Sequence, residues 1–208
     1  MARQSADERR EQLVEAAIRV MIRDGVAKAT TRAIVGEAGL PLGAFHYCFR
    51  SKRELLHSVI ERIMLNSLAF TPTHTPEDTP EDTPAPTDAP TLIRSTLHAY
   101  WEGIRARPSE HLVTYELTQY ALREPGLADV ARRQYQHYLQ ANIDHLTAVA
   151  DQANIRWTVD IPVLARVGLS LLDGLTLNWL IDRDDTQALA ALDTYADQLI
   201  SVSAPASS

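Results

Sequence analysis

Cys48 is the chain's single cysteine, in 208 residues. One thiol forms no internal disulfide and no second cysteine stands at metal-ligand spacing. A disulfide scaffold is therefore excluded, and a reducing cytoplasm is the expected setting. Lysine is scarce as well: Lys28 and Lys52 are the only two among 20 basic residues, and the rest are arginine. No uninterrupted apolar run reaches the ~18 residues of a membrane span. The opening "MARQSADERREQ" lacks the apolar middle of a secretory signal, so no membrane partner is expected. A Gly-rich phosphate loop, a Gly-x-Ser-x-Gly elbow and a His-Glu-x-x-His pair are also missing. Accordingly no catalytic residue, metal ligand or cofactor is expected.

What is present is unevenly charged. The net charge is −7, which taken alone argues against a polyanionic partner. Residues 1–65, however, hold eleven Lys or Arg against eight Asp or Glu, a net of +3; the remainder holds nine against nineteen, a net of −10. A basic head on an acidic body is the asymmetry expected when one part meets phosphate and the other does not.

The chain reads as helix almost throughout. In "DERREQLVEAAIRVMIRDG", Leu13, Ala16, Ala17, Val20 and Met21 recur at three- and four-residue steps, with Gly25 as a stop. "TTRAIVGEAG" predicts a short helix capped by Thr30 or Thr31. "PLGAFHYCF" predicts a second one, and Ser51 followed by Glu54 predicts a capping box. Residues 71–90 contain six of the eleven prolines and a doubled "TPED"; without large apolar side chains they predict a mobile acidic linker or loop. Helices are expected again at about 91–107, 109–124, 126–153, 161–182 and 186–202. "IPVLARVGLSLLDGLTLNWLI" is apolar on nearly all sides. It is either a central helix of its own fold or, with the last helix, half of a homodimeric four-helix bundle.

"GAFHYCFRSKREL" sets four rings on a short stretch ahead of Arg50, Lys52 and Arg53. Two short helices joined at Ala38-Gly39-Leu40-Pro41 predict a helix-turn-helix. Gly39 would supply the left-handed turn. Ile34, Ala38, Leu40, Phe45 and Phe49 would close one core, which accounts for both Phe and leaves His46 and Tyr47 to point outward. His46 and Cys48, two apart on a helix, point nearly opposite ways and do not suit joint metal ligation.

"TTRAIVGEAGLPLGAFHYCFRSKRELL" resembles the DNA-binding head of the TetR/AcrR family of transcriptional regulators, the likeness covering roughly residues 10–60. It implies an all-α protein with two domains. Residues 1–65 would be the DNA-binding domain and 66–208 the ligand-binding and dimerisation domain, homodimeric through the helices at about 161–182 and 186–202. The function implied is a ligand-responsive regulator, a repressor on a near-palindromic double-stranded operator, released by a small-molecule inducer. The alternative is an all-α small-molecule binder or enzyme with a degenerate DNA-binding head.

Carried over by residue, Thr31 and Arg32 would contact phosphate and groove edge. Gly43 and Ala44 would lie nearest base edges, His46 and Tyr47 on bases and backbone, and Lys52 and Arg50 on phosphate. Leu42 stands where a polar or basic residue is frequent, and would meet a thymine methyl or pack. Pro41 replaces a frequent Ser or Thr. In the body, His98, Trp101, Tyr115, Gln119, Tyr138, Asp173 and Asn178 are the candidate ligand contacts, polar tips among apolar neighbours.

Overall fold

The computed structural model describes residues 5–68 and 88–206, without the side chains of 64–68. Most of the predicted linker at 71–90 therefore lies outside the described residues; its last three residues open a helix. Nine α-helices are described: α1 (Ala6–Asp24), α2 (Thr31–Glu37), α3 (Leu42–Cys48), α4 (Lys52–Leu68), α5 (Ala89–Ala106), α6 (Pro108–Arg123), α7 (Ala128–Ala153), α8 (Ile161–Asp182) and α9 (Asp185–Ser201). The chain forms two compact units: Met1–Phe70 with Ser109–Gln134, and Thr71–Pro108 with Tyr135–Ser208.

In the first unit the Ser5 hydroxyl accepts the Glu8 N–H while the Glu8 carboxylate accepts the Ser5 N–H, so a capping box starts α1. The Thr30 hydroxyl accepts the Ala33 N–H at 3.2 Å and starts α2. Gly39, at φ 65°, makes the left-handed turn into α3. Seven-residue helices such as α2 and α3 are unstable alone. They are held because Ile34, Ala38, Phe45 and Phe49 bury themselves against Leu13, Val20 and other α1 residues. Val113, Leu117 and Ala121 of α6, with Leu127 and Val130, join the same core. Residues far along the chain therefore complete the core of the first four helices.

The cap of α4 differs from the predicted box. Ser51 accepts the Glu54 N–H at 3.2 Å, as a cap should. The Glu54 carboxylate does not return to Ser51, however. It accepts the Arg50 N–H at 2.9 Å and a charge-assisted bond from the Arg10 guanidinium at 3.0 Å.

In the second unit, Leu92 and Ile93 of α5, Leu146 and Val149 of α7, Leu164 and Ala165 of α8 and Tyr195 and Leu199 of α9 share one core. α8 is long and apolar enough to cross a membrane by length and composition. One side of it nevertheless packs inward through Leu169, Leu172 and Trp179, and Arg166 and Asp173 interrupt it. The opposite side leaves Val163, Val167, Leu177 and Ile181 at 51, 49, 45 and 78% exposure. One feature is absent from the helical reading. Ile155–Trp157 and Ser203–Pro205 form a short antiparallel pair, Ile155 opposite Pro205. Three-residue strands are too short to leave a period-two signature.

Candidate functional site

The third helix presents two contrasting sides. Phe45 and Phe49 are buried, His46 is exposed and Tyr47 is 70% exposed. Leu42 and Gly43 are open, and a Cβ built on Gly43 would meet nothing within 4 Å. Ala44, the other expected base-edge residue, is buried at 8% exposure, so it can supply only the floor of the surface. An open hollow of about 520 Å³ lies beside this helix, lined by Arg9, Pro41, Gly43, Ala44 and Tyr47 with the start of α1.

Arginine pairing decides which positive charge this face keeps. Arg10 meets Glu54 at 3.0 Å, Arg19 and Arg23 meet Glu37 at 2.9 and 2.8 Å, and Arg53 meets Glu124 at 3.5 Å. Arg62 bridges to Glu15 at 2.8 Å and to Glu11. The Arg23 and Arg19 guanidiniums hold the Glu37 carboxyl below the usual carboxylate range. The Arg50 N–H, then Arg10, do the same for Glu54. These cations are neutralised in place. Arg9, Arg32 and Lys52 have no carboxylate partner among the described residues, and the Arg50 guanidinium, unlike its backbone N–H, lends Glu54 only a through-space interaction. Thr31 opens α2 and is half-buried. Arg9 was missed in the sequence, where nothing distinguishes it from its neighbour Arg10. Unpaired cations around a projecting helix with open His and Tyr side chains suit a groove flanked by phosphates.

The chain matches the family described as "Bacterial regulatory proteins, tetR family" over residues 13–59. It matches "BetI-type transcriptional repressor, C-terminal" over residues 90–201, more than half its length. The chain belongs to the TetR family. As a TetR-family member it is a transcriptional regulator. The nicotine-responsive transcriptional repressor HdnoR of Paenarthrobacter nicotinovorans is 29% identical over 193 residues, covering 93% of this chain and 94% of that protein. The multidrug binding protein EbrR, solved with ethidium, is 26% identical at a TM-score of 0.62, covering 92% of this chain and 98% of that one. FadR of Bacillus subtilis, solved with stearoyl-CoA, shares the fold at 18% identity and a TM-score of 0.62, covering 92% and 97%.

The structure scatters the seven candidate ligand contacts of this TetR-family chain. Tyr115 and Gln119 lie on α6 in the first unit and the other five in the second. His98 sits 2.8 Å from the Asp193 carboxylate on α9. Trp101 is wholly enclosed, edge-on to Trp179 at 5.7 Å, with its indole N–H buried and unpaired. Asn178 is exposed on α8. Tyr138 and Asp173 act electrostatically on a residue outside the seven, Tyr100. Although 37% of Tyr100 is open, desolvation pushes its hydroxyl pKa up to about 12, with Asp173 and Tyr138 adding to the effect. A separate cavity of about 40 Å³ is lined by Thr96, Asn142, Trp157 and Tyr195 among others, and by none of the seven. It has room for a few waters, since each needs roughly 10–15 Å³, and falls far below the volume of an ordinary ligand pocket.

Proposed function

We propose that this TetR-family chain is a repressor that binds a near-palindromic operator as a homodimer and leaves it when a small molecule binds. The observation that carries the reading is the uncompensated charge of Arg9, Arg32 and Lys52 around the exposed His46 and Tyr47. Phosphate contacts from these cations and from Thr31 and Arg50 would set the register. Leu42, Gly43, His46 and Tyr47 would meet the groove. The apolar stripe of α8 and the small exposed Ala190, Ala191 and Thr194 of α9 support a two-fold partner surface. Action on operator DNA places the working protein in the cytoplasm. That HdnoR is by name nicotine-responsive, and that EbrR takes ethidium, supports release by a ligand. Release follows if the ligand binds better to the dimer whose heads are wrongly spaced; operator affinity then falls by that differential affinity. A degenerate DNA-binding head fits less well, since decay of the function would not spare unpaired cations.

Selection of bound duplexes from a random pool tests the reading. A palindromic site should emerge, and His46→Ala, Tyr47→Ala and Lys52→Ala should each weaken its binding with the dimer unchanged. Arg9→Ala should lower the salt slope of binding by about one phosphate's worth. Protein that ignores all duplexes at low ionic strength ends the proposal.

A further inference from the structure

Operator binding does not account for two hydroxyls buried in the second unit. Thr96 of α5 and Tyr195 of α9 are 6 and 5% exposed, and neither hydroxyl has a hydrogen-bond partner among the described residues. Both side chains line the cavity of about 40 Å³ described above. Of the buried unpartnered groups described, only the Trp101 indole N–H is sealed off entirely, so the two hydroxyls open onto space that a water-sized body can enter. Burial accordingly pushes the Tyr195 pKa up to about 12. Gly168 of α8 makes room for the same hydroxyl, since a Cβ there would stand 2.5 Å from it. A glycine inside a helix and a buried hydroxyl without a partner each cost stability. A valine and a phenylalanine would fill the two volumes without the unpaired groups.

The rest of the wall narrows the ligand. Ile93, Leu146, Leu164 and Leu199 make it mostly aliphatic, and no Asp, Glu, Lys or Arg is among the described residues that line it. Its other polar side chains are engaged. The Asn142 amide donates to the Tyr138 carbonyl at 2.9 Å, the Trp157 indole N–H donates to the Leu146 carbonyl at 2.9 Å, and His145 is partnered as well. Resting on the regulator reading above, and naming the ligand class for it, we propose that this cavity seats the effector through Thr96 and Tyr195, and that the effector buries there a neutral hydroxyl or carbonyl oxygen on an aliphatic frame. Either oxygen accepts a hydrogen bond from a hydroxyl that otherwise goes without one. A charged group would lose its hydration with no opposite charge on the wall to replace it. A hydrocarbon of the same shape would leave both hydroxyls unpaired. At roughly 10–15 Å³ for each water-sized body, the cavity accepts about three or four heavy atoms, so the buried end is compact.

The test uses four probes of similar size and shape on the full-length protein without DNA: acetone, isobutene, acetate and isopropylammonium. NMR titration with acetone should move the Trp157 indole N–H and the Ile93 and Leu164 methyl resonances saturably, with a Kd of about 1 mM. Neither ion should move them. Thr96→Val and Tyr195→Phe should each weaken acetone about three- to tenfold, the weight of one hydrogen bond, and leave isobutene unchanged. Without a probe both variants should melt at the temperature of the unaltered protein or above it, because each loses an unpartnered group. Should either variant fail to fold, the discrimination between acetone and the two ions on the unaltered protein still decides. No shift with acetone, as for a cavity that holds water only, would overturn the proposal. Equal shifts with an ion, undiminished acetone binding by both variants, or a lower melting temperature of both would do the same. On the selected operator, acetone should release the unaltered protein at concentrations where acetate does not, and binding without release would overturn the effector assignment. Gel shifts without any probe, run on the same preparations, show separately whether the regulator reading stands.

Discussion

The Arg10 guanidinium lies over the Phe49 ring, 4.2 Å from its centroid. From there it donates to the Cys48 carbonyl at 2.7 Å, to Glu54 at 3.0 Å and to Ser58 at 3.1 Å. One side chain of α1 thus ties the end of α3 to α4. Arg10→Ala removes all four contacts and should destabilise the protein by about 1–3 kcal/mol. Arg10→Lys should recover little, because an ammonium cannot stack and fork together. Urea denaturation of the three proteins checks this.

Acid should loosen the same head. Glu37 and Glu54 are both held below their ordinary pKa of 4.5. A depressed folded-state pKa contributes stability that is fully present above the unfolded value. That stability is lost as pH falls through the lower folded value. Between neutrality and about pH 3, the melting temperature of Glu37→Gln should therefore fall less than that of the unaltered protein. An identical pH profile would contradict the assignment.

Gly168 is required by its neighbour on α9. A Cβ at that position would stand 2.5 Å from the Tyr195 hydroxyl, in a core where Tyr195 is only 5% exposed. Gly168→Ala should cost about 1–3 kcal/mol by overpacking, and Tyr195→Phe in the same chain should recover part of it. A thermal-melt double-mutant cycle measures the coupling.

The exposed stripe of α8 predicts an association defect. Val167→Glu with Ile181→Glu places two charges on a surface that is apolar in the protomer. Sedimentation should show the dimer shifted to monomer, with helix content retained and operator binding weakened because the two half-sites are no longer held by one molecule.

Much of this was legible without coordinates, for a physical reason. Helix periodicity, the Thr30 cap, the Gly39 turn and the division of Phe45 and Phe49 from His46 and Tyr47 are local. Each depends on residues a few positions apart, so the sequence carries them directly. The cap of α4 was only half legible, because the partner of Glu54 that mattered, Arg10, lies 44 positions away.

The order of helices, the helix-turn-helix and the basic head follow from the sequence by itself. Which basic residues stay free to meet phosphate was decided by tertiary structure alone. Arg9 and Arg10 are adjacent and chemically identical, yet α1 turns one toward the hollow beside α3 and the other onto Phe49 and Glu54. The electrostatic effect of Asp173 on the Tyr100 hydroxyl, 73 positions apart in sequence, is likewise a product of packing. A one-dimensional pattern specifies the face on which a side chain lies, but the charge it meets there depends on which helix the fold brings opposite.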